Sequence, residues 1–332
     1  VNQLETNRQK ILLLAPRLDV SFKHNPTITK IPTQIGQTLP GKEEWGIFAN
    51  LLENEYKSRT DTNFERLNLA LWQFNYEILK NYEYDTIFVP HKEKHNFNIK
   101  NKHVYYYMQT TFPWIFSVDS KGWAGGASVY PYHSLYKNST GTTTVFDTLR
   151  LRALENKSKF QQPKYTDIQL PDEFALFTCQ IPDDETVKYH SSVTVGKALI
   201  YTCEATRKLG IPLVVKGHPI NANSMIGLKN SLRNYSHVTY LDKVSIHQLI
   251  GRSKCVVTVN SGTGMEALLH KKPVVTFGQA EYDCVTNHAT KNTIADVLQN
   301  LTYNLDDVIR FFDGWYKWCY DITIEESFKK LP

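Results

Sequence analysis

No stretch of the 332 residues approaches the roughly 18 to 20 consecutive apolar residues that span a bilayer, so no membrane-spanning helix is expected. The N-terminus carries no apolar signal core, which argues against secretion. It also lacks an initiator Met, so a chain that begins at Val1 reads as a fragment or a processed product. Cysteine is scarce. Cys179, Cys203, Cys255, Cys284 and Cys319 are odd in number, far apart and without a C-x-x-C pair, so a disulfide framework is not expected and a reduced cytoplasmic setting fits. The eleven histidines show no H-E-x-x-H or comparable zinc spacing, and neither a metal nor a cofactor is expected. Charge of one sign is also sparse. A net +5, with scattered basic residues and no recognition-helix or RNA-binding signature, argues against nucleic acid. It suits an anionic small molecule, an acidic polysaccharide or peripheral contact with the inner face of the cell membrane. Lys92, Lys94, Lys100 and Lys102 are read as a solvated loop rather than a lipid or glycan site.

The most informative segment present is Cys255–Tyr282. An apolar, β-branched strand, Cys255–Val259, is broken by Asn260-Ser261-Gly262-Thr263-Gly264, followed by a helix from Met265 and a second strand after Pro273. A Ser/Gly turn between a parallel strand and a helix presents backbone N–H groups and hydroxyls to an anion, unless it is only a tight turn. Two more apolar strands end in polar groups. Leu213–Val215 leads to Lys216-Gly217-His218-Pro219, and Phe174–Cys179 leads to Gln180 and the acids Asp183, Asp184 and Glu185. Ligands of open α/β sheets bind outside the carboxyl ends of the strands, so three strands bring polar groups to one rim.

The organisation reads as two lobes: residues 1–160, residues 165–290, and C-terminal helices over 291–332, with a linker near Asn156–Lys164. In the first lobe, strands are expected at Lys10–Ala15, Thr86–Val89 and Val104–Met108. Helices are expected at Glu44–Tyr56 and Asn63–Lys80, the latter from Leu67, Leu71, Phe74 and Ile78; residues 117–143 look like a functional loop. The second lobe alternates strand and helix from 174 to 277, which implies a parallel, doubly wound sheet. Val308, Phe311, Phe312, Trp315 and Trp318 form an apolar stripe, read as packing across the lobes rather than as a membrane anchor.

Over about residues 170–285 this order resembles the capsule polysaccharide biosynthesis family, which includes the bacterial β-Kdo transferases (Kdo is 3-deoxy-manno-octulosonic acid). The resemblance rests on Gln180 with Asp184 four residues on and Thr186 after it, on Lys216-Gly217-His218-Pro219, and on a long last signature. That signature is Asn260-Ser261-Gly262, Gly264-Met265-Glu266-Ala267-Leu268, Lys272-Pro273-Val274, Gly278 and Tyr282. It implies an α/β fold of two Rossmann-like lobes facing a cleft, glycosyltransferase-B-like, with the C-terminal helices packing back across. It implies a CMP-Kdo donor, a saccharide or glycolipid acceptor, and no divalent metal.

The resemblance assigns roles residue by residue. Asp184 stands where the family's aspartate stands and is the candidate nucleophile of a retaining, double-displacement reaction. Its acidic run is otherwise a helix start with favourable first-turn charge. His218, Lys216 and the adjoining Pro219 are assigned to the leaving phosphate, as imidazolium and ammonium. Asn260, Ser261 and the N–H groups of Gly262, Thr263 and Gly264 hold the donor's phosphate or carboxylate. Glu266 accepts from a ribose hydroxyl or makes a structural bond, and Gln180 positions the sugar or Asp184. In the first lobe, Asp119-Ser120-Lys121-Gly122-Trp123 resembles the family's acidic residue before a Gly-aromatic pair, making Asp119 the candidate acceptor-side base. Two other readings are open. One is a nucleotide-sugar epimerase of similar architecture, told apart by isomerisation without acceptor. The other is a non-catalytic saccharide-binding subunit of a capsule assembly complex, which would bind without turnover.

Overall fold

The computed structural model describes residues 8–17, 42–69, 83–93, 102–130, 139–219 and 222–332. The chain divides into two α/β units. One comprises the residues up to Ser128 together with Trp318–Pro332, and the other Val129–Lys317. The division falls at 128, and the composition-based linker at 156–164 lies inside the second unit.

The first unit is a six-stranded sheet of β1 (Gln9–Pro16), β2 (Thr62–Leu69), β3 (Thr86–Pro90), β4 (His103–Gln109), β5 (Ile115–Asp119) and β12 (Tyr320–Asp321), ordered β12-β5-β4-β3-β1-β2. β1 to β4 run parallel, whereas β5 turns back against β4 and β12 lies antiparallel to β5. Ile11–Ala15 are fully buried because both faces of β1 are covered. On one face α1 (Lys42–Ser58) packs Trp45, Phe48, Leu52 and Tyr56 against Ile11, Leu13 and Phe88. On the other, Leu12, Leu14, Ile87 and Val89 meet Tyr106 and Trp123.

Two expectations need correction here. Thr62–Leu69 is an edge strand in register with all of β1, not the start of a helix. Asn63, Glu65 and Asn68 are exposed while Phe64 and Leu67 pack on opposite faces, the alternation of a pleat rather than a helical stripe. Leu71, Phe74 and Ile78 lie outside the described residues. The expected loop over 117–143 begins inside β5, and Ser117–Asp119 are buried. Lys92, placed in a solvated loop, is also buried, and its carbonyl accepts from the Trp123 indole at 2.8 Å.

The second unit opens with α2 (Thr144–Leu154). Its sheet contains β6 (Ala175–Thr178), β7 (Leu213–Lys216), β8 (Val238–Leu241), β9 (Cys255–Thr258), β10 (Val274–Thr276) and β11 (Asn287–His288). The helices between them are α3 (Glu185–His190), α4 (Val195–Leu209), α5 (Ala222–Ser231), α6 (Ile246–Arg252) and α7 (Thr263–Leu269); α8 (Ile294–Gln299) and α9 (Leu305–Trp318) come after the last strand. All strand pairs are parallel in the order β11-β10-β9-β6-β7-β8. The chain starts at central β6, runs outward to β8, returns to β9 and runs outward again. A switch point therefore lies between β6 and β9. α4 lays Val195, Ala198, Leu199 and Cys203 on Phe177, Val215 and Val257 of one face. Thr194 caps it at one end and left-handed Gly210 ends it at the other.

Four members of the apolar stripe, Val308, Phe311, Phe312 and Trp315, are fully buried, with Phe312 edge-on to Phe146 of α2 at 6.0 Å. The stripe is core. Among the described residues no helix is long and apolar enough to cross a membrane.

The C-terminal residues complete the first unit. Phe328 is buried at 5.4 Å from the Phe48 ring, and β12 pairs with β5. Phe328→Ala is therefore expected to destabilise the protein by about 3 kcal/mol through the cavity it leaves. Chemical unfolding should show this as an earlier midpoint with unchanged slope; an unchanged midpoint would place the C-terminus outside the core.

Candidate functional site

The switch point is closed by two side-chain amides. Gln180 Nε2 donates to Asn260 Oδ1 at 2.9 Å, and the Asn260 backbone N–H donates to Gln180 Oε1 at 2.9 Å. The remaining Asn260 donors reach the carbonyls of Thr186, at 2.8 Å, and Gln279, at 3.2 Å. One strand down, the hydroxyls of Thr178 and Thr263 meet at 2.7 Å. Gln180 and Asn260 are both buried, so they brace the ends of β6 and β9 and set the positions of the residues next along the chain.

Four residues beyond Gln180 stands Asp184, half-buried at the N-cap of α3. Its Oδ1 accepts from the Thr186 backbone N–H at 2.9 Å and the Thr186 hydroxyl at 2.5 Å. Both bonds fall on one oxygen, which fixes the carboxylate. Asp183, on the same run, is exposed. His218 lies within electrostatic reach of Asp184. Burial, aided by Lys216, pushes the His218 imidazole down to about 4 against the pull of Asp184. The ring is therefore neutral at physiological pH, where an imidazolium was expected.

A residue that gave no signal in the sequence completes this group. Residues 156–162, the expected linker, form a strap docked on the second unit. Ser245 donates to Asn156, the Ile246 backbone N–H donates to Gln162 Oε1 at 2.9 Å, and Ser158 donates to Glu266. The Phe160 ring stands edge-on to His218 at 5.6 Å. Between Ser158 and Phe160, Lys159 is carried within electrostatic reach of Asp184 and Glu281. Burial lowers its ammonium to about 8 against the pull of those carboxylates. Polar composition and a late Pro163 resembled a linker; the Ser158-Lys159-Phe160 triplet has no periodicity to oppose that.

Lys216 takes a different place from the one expected. It is buried, donates to its neighbour Gly217's carbonyl at 2.8 Å, and feels the Asp242 carboxylate. A Cβ at Gly217 would displace the Tyr240 hydroxyl and the Asp242 carboxylate. Lys216 thus serves the β7–β8 edge, and Pro219 is exposed. At the turn before α7, Ser261 Oγ accepts from the Thr263 N–H at 3.2 Å, and the Gly264 N–H reaches the Ser261 carbonyl at 2.9 Å. The Tyr282 hydroxyl also donates to that carbonyl, and its ring lies where a Cβ on Gly264 would be. Gly262 and Ser261 remain half-exposed at the rim.

Glu266 is buried inside α7 and takes the Ser158 hydroxyl. His247 Nε2 lies 3.8 Å from it and 3.1 Å from the Lys157 carbonyl, while His247 Nδ1 lies 3.0 Å from His270 Nε2. A carbonyl can only accept, so His247 donates through Nε2 and accepts from His270 at Nδ1. Glu266 therefore helps hold the strap.

In the first unit, Asp119 is buried and enclosed by donors. Its Oδ1 accepts from the backbone N–H groups of Lys121 at 2.7 Å, Gly122 at 3.4 Å and Ser128 at 2.9 Å, and its Oδ2 from the Ser128 hydroxyl at 2.5 Å. These bonds fold the 120–128 loop, and the geometry gives the role of base no support.

A family model described as capsule polysaccharide biosynthesis protein matches residues 129–295, beginning where the second unit begins. The chain belongs to that family. Its curated relatives include the capsule polysaccharide export protein KpsS of Escherichia coli, 27% identical over 125 residues, which are 35% of this chain and 32% of that protein. They also include protein FixF of Sinorhizobium fredii, 31% identical over 134 residues, 40% of this chain and 32% of that one. The matched stretch is thus about a third of either relative's length. Among solved structures, Thermosulfurimonas dismutans KpsC, a β-Kdo 2,7 transferase, superposes with a TM-score of 0.50 at 16% identity, covering 80% of this chain and 86% of that one. The fold class is the expected one: α/β, with two Rossmann-like lobes of the glycosyltransferase-B kind.

Burial lifts Glu266 to about 7, with the Ser158 hydroxyl pulling it down. The folded protein thus keeps a proton that the unfolded chain releases near the ordinary 4.5. That contribution to stability is full below the unfolded value and is lost as pH rises through the folded one. His247 and His270, both lowered to about 4 by burial, act oppositely: their contribution is present above the ordinary 6.5 and lost as pH falls. Comparing Glu266→Gln with wild type isolates the carboxyl. The variant is expected to gain several degrees in melting temperature at about pH 8 and little at about pH 5. Equal differences at both pH values in scanning calorimetry would remove the buried, proton-holding carboxyl.

Proposed function

We propose that the protein is a glycosyltransferase of the β-Kdo transferase type, moving a sugar acid, Kdo from CMP-Kdo, to a saccharide or glycolipid acceptor. The observation that carries this reading is the placement of Asp184, clamped through one oxygen by Thr186, and of His218, beside the Phe160 ring, outside the switch point of the family-matching sheet. Fixed carboxylate and hydrogen-bond donor are what a retaining transfer requires on the donor side. The likeness to a β-Kdo transferase in fold and to a capsule protein in sequence supports the same choice.

The chemistry runs in two displacements. Asp184 Oδ2 forms a bond to the anomeric carbon as the bond from that carbon to the CMP phosphate oxygen breaks, and the electron pair leaves with CMP. An acceptor hydroxyl then attacks the same carbon, its proton passes to a base, and the ester electrons return to Asp184. The two inversions give net retention. The His218 N–H and the turn at Ser261–Gly264 are the groups assigned to the departing phosphate. With N–H groups for that role, and no group of three or more His, Cys, Asp or Glu able to hold a metal among the described residues, transfer is expected to survive EDTA. Activity lost to EDTA and restored by magnesium would sink that part. A cytoplasmic site of action, with peripheral contact to the inner membrane face through a glycolipid acceptor, belongs to the same proposal.

Asp184→Asn keeps the shape and removes the nucleophile, so kcat for CMP release should fall by about 1,000-fold or more while CMP binding changes little. His218→Ala, which removes a phosphate donor, should cost about 10- to 100-fold. Wild-type protein incubated with donor and no acceptor should gain the mass of one sugar, mapped to the Thr178–Lys188 peptide. Full activity in Asp184→Asn, an adduct elsewhere or an inverted product would each overturn the mechanism. A preference for uridine or guanosine nucleotides would overturn the donor.

A further inference from the structure

We propose that Phe160 is a positioning residue for His218, held against that imidazole by the strap of residues 156–162. The proposal rests on reading His218 as a group that serves the departing phosphate. The two rings stand edge-on, with centroids 5.6 Å apart and planes at 73°, an arrangement that aromatic pairs prefer. Both residues are half-buried. His218 stands one residue beyond the bond from the Gly217 N–H to the Leu241 carbonyl, at 2.9 Å, so side-chain contacts rather than the sheet set its ring.

Polar bonds, not the period of a helix or strand, put Phe160 there. Gln162 makes two of them: its Oε1 accepts from the Ile246 N–H at the start of α6, and its Nε2 donates to the Phe160 carbonyl, both at 2.9 Å. On the other flank Ser158 donates to Glu266 in α7, and His247 Nε2 donates to the Lys157 carbonyl at 3.1 Å. Asn156 Nδ2 donates to the Pro163 carbonyl at 2.8 Å, which ties the ends of the strap together. A residue tied on both flanks has lost most of its backbone freedom before any ligand arrives, so its ring is presented at little further entropic cost. The charged groups in reach of His218 are Asp184, at the start of α3, and Lys216, at the end of β7. They act on the imidazole in opposite senses, and burial is the larger influence. The Phe160 ring is part of that cover.

The test uses the whole chain without donor, its histidines labelled with carbon-13 at Cε1. The resonances of His218 and His247 are assigned by their loss in His218→Asn and His247→Asn. In Phe160→Ala the His218 midpoint should rise from about 4 by about one unit or more toward the ordinary 6.5, because water returns to the ring. His247, which touches the same strap through the Lys157 carbonyl, should keep its midpoint. An unmoved His218 would overturn the proposal. So would His218 and His247 moving together, since that marks Phe160 as an anchor of the strap and not as a neighbour acting on one ring. Phe160→Leu keeps the apolar bulk without the flat ring, and it carries the test should the Ala variant not fold. Its His218 midpoint should stay within about half a unit of wild type. Its kcat for CMP release should fall by about 10-fold, with KM within about threefold. Wild-type kcat in Phe160→Leu would overturn the positioning role and leave the transferase reading standing. Should no cytidylyl sugar acid turn over in wild type, the transferase reading falls, and the His218 midpoint in Phe160→Ala still upholds or overturns the contact.

Discussion

The bond pair between Gln180 and Asn260 is the constraint on which the site depends. β6 and β9 are neighbours in the sheet, but their chain connections depart in opposite directions, so beyond the last ladder bond nothing in the backbone holds their ends together. A buried pair of amides does so, each supplying what the other needs, with Thr178 and Thr263 adding a second tie below. A buried amide left unpaired would cost about 1 to 3 kcal/mol, which makes the arrangement close to all-or-none. Asp184 on one side and the Ser261–Gly264 turn on the other inherit their positions from it. Asn260 extends the control by also holding the Thr186 carbonyl, and Thr186 is the residue that clamps Asp184.

Much of the second unit was legible in the sequence because burial on both faces leaves an unmistakable trace. Leu213–Val215 and Cys255–Val257 are unbroken apolar runs, and each is a fully covered parallel strand. The first unit was read less well where elements are half-covered. β2 is an edge strand that carries Asn63, Glu65 and Asn68 toward solvent, and its two apolar faces are shared between two cores. Helical spacing groups Leu67 with Leu71, Phe74 and Ile78, which lie outside the described residues, and within Thr62–Leu69 the pleat prevails.

The site was legible as a set of positions and illegible as a set of roles. Lys216 and Gln180 stand at strand ends as expected, and each also serves the fold: Lys216 with a carbonyl and Asp242, Gln180 with Asn260. Asp119 likewise spends its carboxylate on its own loop. One-dimensional spacing states which side chains arrive at a rim. It says nothing about which of their hydrogen-bonding sites are already filled, and that accounting separates a structural polar group from a chemical one. His218 shows the same limit for charge, since the burial that keeps its ring neutral is a three-dimensional property.

Placing the cation on a strap rather than on a strand end has a physical consequence. A lysine at the end of β7 is built into the sheet, and its ammonium is fixed by whatever the neighbouring strand supplies, here Asp242 after β8. The strap around Lys159 is instead held by contacts of neighbouring residues, among them two part-buried polar ones: Ser158 with Glu266, and the Lys157 carbonyl with His247. These contacts are sensitive to protonation in opposite senses, because burial raises Glu266 and lowers His247 and His270. Ionising Glu266 above about 7 adds a buried negative charge under Ser158, while protonating the histidines at acid pH adds positive charge beside the same carboxyl. The strap is thus most neutral between those limits, a window that lies inside the wider range in which Lys159 itself keeps its proton.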